Sequence, residues 1–93
     1  MPEMHFEVRW PDGKTMRCYS PSLIIKDYFQ PGSHYPVVEF LARSREAYGI
    51  AQERVRARWG WGCGHGQHAL EQIEAQASQC AADGLVLVER FQE

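Results

Sequence analysis

Apolar and polar residues alternate from Glu3 to Trp10, with Met4, Phe6, Val8 and Trp10 on one side and His5, Glu7 and Arg9 on the other. A period of two over β-forming residues predicts a strand with one buried face. Pro11-Asp12-Gly13 then supplies turn chemistry: a fixed φ, a side chain that bonds back to the backbone, and a residue free to take positive φ. Lys14 to Tyr19 returns antiparallel, and Met16 and Cys18 join the apolar face. The first element is therefore a β-hairpin.

Ser20-Pro21-Ser22 reads as a helix start, with Ser20 as cap and Pro21 in the first helical position. Leu23, Ile24, Ile25, Tyr28 and Phe29 give it a short apolar stretch, although the β-branched pair also fits an extended segment. Gln30 to Ser33 is a loop. From Pro36 the spacing becomes helical: Val37, Leu41, Ser44, Tyr48, Ala51, Val55 and Trp59 recur every three or four residues, and Phe40 widens the stripe. Gly49 lies inside this run, where it costs about 1 kcal/mol against Ala, so the pattern predicts two helices over 36–48 and 50–59. The glycines at 60, 62, 64 and 66 predict a loop. Gln67 to Ala82 is a further amphipathic helix, with Leu70, Ile73, Ala77 and Cys80 inward, and Asp83-Gly84 stops it. Leu85 to Phe91 is apolar on both faces and reads as a well-covered strand beside one member of the hairpin. The expectation is a single α+β domain over 1–93. A small three-stranded antiparallel or mixed sheet, made of the N-terminal hairpin and the C-terminal strand, carries three to four helices on one face.

Composition narrows the functional classes. The 93 residues are 44% hydrophobic and 24% charged, which argues against disorder, collagen and a disulfide scaffold. Three cysteines make an odd count, no stretch approaches the roughly 20 apolar residues of a membrane span, and no leader precedes the hairpin. These features point to a reducing, cytoplasmic setting without a membrane partner. The net charge of -2 is the wrong sign for bulk nucleic-acid affinity.

Four groups of residues carry candidate chemistry. Cys63, His65 and His68 are metal-ligand types at close spacing, but four glycines make a poor preorganised cage and no C-x-x-C or H-x-x-x-H pair occurs. The glycines also lack the register of a phosphate-binding loop. Cys63 precedes a helix and follows Arg58, a setting in which thiols can become reactive, yet no orienting third group is visible. Arg43 to Arg58 holds five arginines and two glutamates, a local +3, in the outline of a helix-turn-helix. Arg45 would obstruct its helix–helix contact, so Arg54 and Arg56 read as part of a solvated face rather than a DNA reader. Trp59 and Trp61 either anchor a ligand or partner or cover the edge of a small core. No catalytic set, cofactor or metal centre follows from these residues. Trp59, Trp61, Cys63, Arg54 and Arg56 remain as candidate contacts for a ligand or partner.

Four blocks taken in order resemble one family: Phe6 to Gly13, Cys18 to Leu23 with Lys26-Asp27-Tyr28, Phe40 to Arg45, and Ile50 to Ala57. The chain is similar to the short bacterial nitrogen-starvation-response proteins. That resemblance implies a gene setting beside a nitrilase, a radical SAM protein, an acetyltransferase and a flavin-dependent oxidoreductase. It also implies a role in nitrogen scavenging from nitriles or cyanide; together with the absence of a catalytic set, it leads to the expectation of a small accessory protein that binds a product of the same cluster or a small ligand. The family carries over no catalytic residue. Its usual aromatic–small–Cys stretch is expanded here by glycine and histidine over Gly60 to His68, with Cys63 retained in type.

Overall fold

The computed structural model describes residues 2–93. Strands β1 (Met4–Arg9) and β2 (Thr15–Ser20) form the expected hairpin. Trp10 N–H donates to Lys14 O, Gly13 N–H donates to Trp10 O, and Gly13 takes φ +89°. This is a three-residue connection whose last position needs a left-handed backbone, which glycine adopts without a Cβ clash. The Lys14 backbone N–H donates to the Asp12 carboxylate and holds that carboxyl below its usual range.

The sheet has four antiparallel strands in the order β2-β1-β4-β3, where β3 is His34–Pro36 and β4 is Leu85–Gln92. The final strand does lie beside one hairpin member, β1, and it is interior. The additional strand corrects the three-stranded expectation. His34-Tyr35-Pro36 is too short to show alternation, and only pairing with Leu85 to Leu87 makes it a strand. Even-numbered residues of β1 are buried, as are Val86 and Val88, while His5, Glu7, Arg9 and Arg17 lie on the open face. The helices therefore cover one side.

Helix α1 is only Ile25–Tyr28. Ser20 does not cap it: that residue ends β2, and its hydroxyl donates to Ser22 O in a tight local turn, which leaves Ser22 Oγ to accept from Ile24 N–H. Helix α2 runs unbroken from Val37 to Trp59, against the predicted break at Gly49. Buried Ala47, Tyr48 and Ala51 flank that glycine, and their packing outweighs the local propensity loss. Gly60, at φ +86°, closes the helix with its N–H on Arg56 O. Helix α3 is Gly64–Ala77, so it starts inside the expected glycine loop and stops before Ala82. The core joins Phe6, Phe29 and Phe40 to Trp10, with the Phe29 and Phe40 rings 5.0 Å apart and Trp10 edge-on to Phe40 at 5.3 Å.

Candidate functional site

The site is built where α3 begins. A four-residue connection, Gly60 to Cys63, turns the chain from α2 back into α3, and one side chain fixes it. Cys63 N–H donates to Gln52 Oε1 at 2.7 Å, and Gln52 Nε2 donates to Cys63 O at 2.8 Å. The amide thus clasps the Cys63 backbone from both sides. It comes so close that a Cβ on Gly62 would lie 2.8 Å from Gln52 Oε1, and one on Gly66 would lie 2.9 Å from Gln52 Nε2 and 3.2 Å from Pro21 Cδ. A side chain at either position would displace the Gln52 amide, and at Gly66 it would also crowd the Pro21 ring; Gly64 has open space around it.

Cys63 is the N-cap of α3, with Sγ accepting from Gly66 N–H at 3.4 Å. The sulfur thus satisfies one of the free N–H groups of the first turn. It sits beside Tyr19, whose hydroxyl donates to Glu3 Oε2 at 2.8 Å. Burial, then the Glu3 carboxylate and the Cys63 sulfur, push the Tyr19 phenol well above its usual range, so it stays a neutral donor. The Tyr19 ring meets His5 edge-on at 5.4 Å and His65 at 6.1 Å.

Two hollows meet at this cluster. One, of about 220 Å³, is bounded by Tyr19, Cys63, Pro21, Val55 and Trp59. The other, of about 520 Å³, runs between β2 and α3, with Met16, Arg17 and Cys18 on the strand side and His65, His68 and Gln72 on the helix side. Glu3 and Tyr19 line both, so the two hollows adjoin at these residues. Trp59 lines the smaller hollow, Trp61 lies on the connection before Cys63, and they are 52% and 69% exposed, so neither seals the core edge. Arg58 lies over the Trp59 ring at 5.4 Å.

The chain matches the family model for nitrogen starvation-induced protein NitG over residues 5–91. It belongs to the NitG family. No curated protein and no solved structure matches it. In this NitG-family chain, the residues singled out by sequence separate into two groups. Cys63 and Trp59 come together at the smaller hollow, and Trp61 is exposed on the connection between them. Arg54 and Arg56 lie away from it: Arg54 Nη1 donates to Ser22 Oγ at 2.9 Å, and Arg56 pairs with Glu53. Among the described residues, no group of three His, Cys, Asp or Glu converges as a metal site would; His65 and His68 ride α3, and Cys63 turns its sulfur to the helix end. The helix-turn-helix outline does not form, because Gly49 lies inside one continuous helix and Arg45 pairs outward with Glu74 of α3 at 2.8 Å. No helix of the described residues is long and apolar enough to cross a membrane. Sequence reading missed Tyr19, Glu3 and Gln52. Tyr19 comes from β2, Glu3 from just before β1 and Gln52 from α2, with no local spacing that marks them. The glycines at 62 and 66 were the one signal that something approaches closely there.

Proposed function

We propose that this protein is a small accessory protein of the bacterial nitrogen-starvation response. It binds a product of its own gene cluster, or a small ligand, in nitrogen scavenging from nitriles or cyanide. Family membership supports the setting. The observation that carries the binding role is the exposed Trp59 lining the Tyr19–Cys63 hollow, with a second exposed tryptophan, Trp61, two residues along the chain, since large aromatic side chains at a concavity are typical binding anchors. Arg54 and Arg56, outside the hollow on the same end of α2, extend the contact surface beyond it.

Affinity capture from nitrogen-starved cells tests the reading. The wild-type protein retains one cluster-encoded protein, and Trp59→Ala/Trp61→Ala loses it. Capture of no cluster protein, or equal capture by the double variant, counts against the role.

A second reading has its own observation: the Cys63 sulfur at the α3 N-terminus beside the Tyr19 hydroxyl, an arrangement suited to a reacting thiol. Alkylation of Cys63 no faster than a free thiol at every pH removes that reading. Stoichiometric metal that is lost in Cys63→Ser would replace it with a metal centre.

A further inference from the structure

The longer hollow follows the outer edge of the sheet, and the hydrogen-bond phase of β2 shows what that edge offers. Trp10 N–H donates to Lys14 O. With the register Val8↔Met16 and Phe6↔Cys18, antiparallel alternation sends the backbone groups of Met16, Cys18 and Ser20 inward to β1. Those of Thr15, Arg17 and Tyr19 then face away from the sheet. The Tyr48 hydroxyl agrees with this phase, since it donates to Tyr19 O at 2.5 Å from outside the ladder. β2 is an edge strand, and both Thr15 and Arg17 are exposed.

Helix α3 runs alongside that edge. It touches β2 at one end through His65 and Tyr19, and it touches the hairpin tip at the other through Gln76 Nε2 donating to Asp12 Oδ2 at 2.9 Å. Between these contacts, His65, His68, Ala69 and Gln72 form one helical stripe facing the hollow of about 520 Å³. The hollow therefore has free strand backbone along one wall and side-chain donors along the other.

Charge selects the occupant. Lys14 to Ser20 holds two cations and no carboxylate. The helix wall adds two imidazoles, and the one acid of the hollow, Glu3, is engaged by Tyr19. A second copy of β2 is disfavoured, because antiparallel pairing centred on Arg17 would set like charges opposite each other. We propose that an extended acidic segment of a partner protein adds to β2 as a fifth strand, with its backbone on Thr15 and Arg17. Its alternate carboxylate side chains would lie on the open face with the Arg17 guanidinium, and the intervening side chains would face α3. This rests on the reading of the protein as a binding module, and it places the partner on the β2 edge in addition to the exposed tryptophans.

The test is selection of a random octapeptide display library on the wild-type protein, with Arg17→Pro and Arg17→Ala as comparisons. Proline removes the outward N–H and leaves the inward ladder intact, so the hairpin survives, as a circular dichroism melt will verify. Enrichment of sequences with Asp or Glu at alternate positions is expected, with binding reduced at least tenfold in Arg17→Pro. The Arg17 amide of the wild type should also become protected from hydrogen exchange in the peptide complex. Arg17→Ala should bind more weakly than wild type yet keep that amide protection. The proposal is overturned if enriched peptides show no acidic alternation, if Arg17→Pro binds them equally, or if the edge self-associates in sedimentation. It is also overturned if free glutarate shifts the His65 and His68 resonances while no peptide is selected, which would assign the hollow to a small anion. If cellular capture still depends on Trp59 and Trp61 while Arg17→Pro has no effect, the binding role stands and the strand addition fails.

Discussion

Removing the Gln52 amide should release the α2–α3 connection. In Gln52→Ala the Cys63 N–H loses its partner and the Cys63 C=O keeps only the Gln67 N–H, so two bonds of 2.7 and 2.8 Å are lost. Each such bond contributes about 1 kcal/mol net, so the substitution costs about 2 kcal/mol. For a domain of this length, 1 kcal/mol corresponds to about 4–8 °C, and Tm should fall by about 8–16 °C. Gln52→Glu keeps the acceptor for Cys63 N–H but sets a carboxylate against Cys63 O, so it should recover less than half of the loss. Thermal unfolding followed by circular dichroism reads both variants. Hydrogen exchange adds a local readout, in which the Cys63 amide loses its protection in Gln52→Ala while the β1–β4 amides keep theirs. A Gln52→Ala protein that melts within about 2 °C of wild type would refute the clasp, because even one lost bond exceeds that shift.

The glycines divide by the same logic. Gly49→Ala should stabilise by about 1 kcal/mol in denaturant melts, since its Cβ meets nothing within 4 Å on an exposed helix face. Gly66→Ala should destabilise despite its helical position, because Pro21 and the Gln52 amide occupy the space; equal effects at the two sites would contradict the geometry. Burial pushes the Cys18 thiol from 9.0 up to about 12. The folded state favours the neutral thiol, so this stabilisation is whole below about pH 9 and is lost as pH rises towards 12. Urea midpoints should fall between pH 8 and 10.5, and fall less in Cys18→Ala; an identical fall would assign the effect elsewhere. In gel shifts at physiological salt, no sequence-specific DNA complex should form. One that survives competitor and disappears in Arg54→Ala/Arg56→Ala would restore the regulator reading.

Strong periodicity made much of the fold legible. The β1–β2 hairpin follows from the alternation of Glu3 to Trp10 and a Pro-Asp-Gly turn, and β4 follows from a run apolar on both faces. The failures share a cause, which is that local preference was overruled by contacts distant in sequence. His34-Tyr35-Pro36 becomes a strand only because β4 offers an edge. Gly49 stays helical because Ala47, Tyr48 and Ala51 are buried on either side of it. Gly64 to Gly66 is helical because Cys63 caps the first turn and Gln52 holds Cys63 in place. For the site, Cys63, Trp59 and Trp61 were visible as unusual residues in a glycine-rich run. Tyr19 and Glu3 were not, because Tyr19 reads as an ordinary outward strand position and Glu3 as a charge before the first strand. Only the antiparallel return of β2, with α3 beside it, brings them to the cysteine.

Site-specific photocrosslinking in nitrogen-starved cells tests the binding role most directly. A photoreactive phenylalanine analogue replaces exposed Trp61 on the α2–α3 connection, or Arg9 on the open face of the sheet, in separate strains. The account predicts one covalent adduct from position 61, identified by mass spectrometry as a cluster-encoded protein, and none from position 9. Adducts of equal yield from both positions, or no adduct from position 61 during starvation, would contradict it.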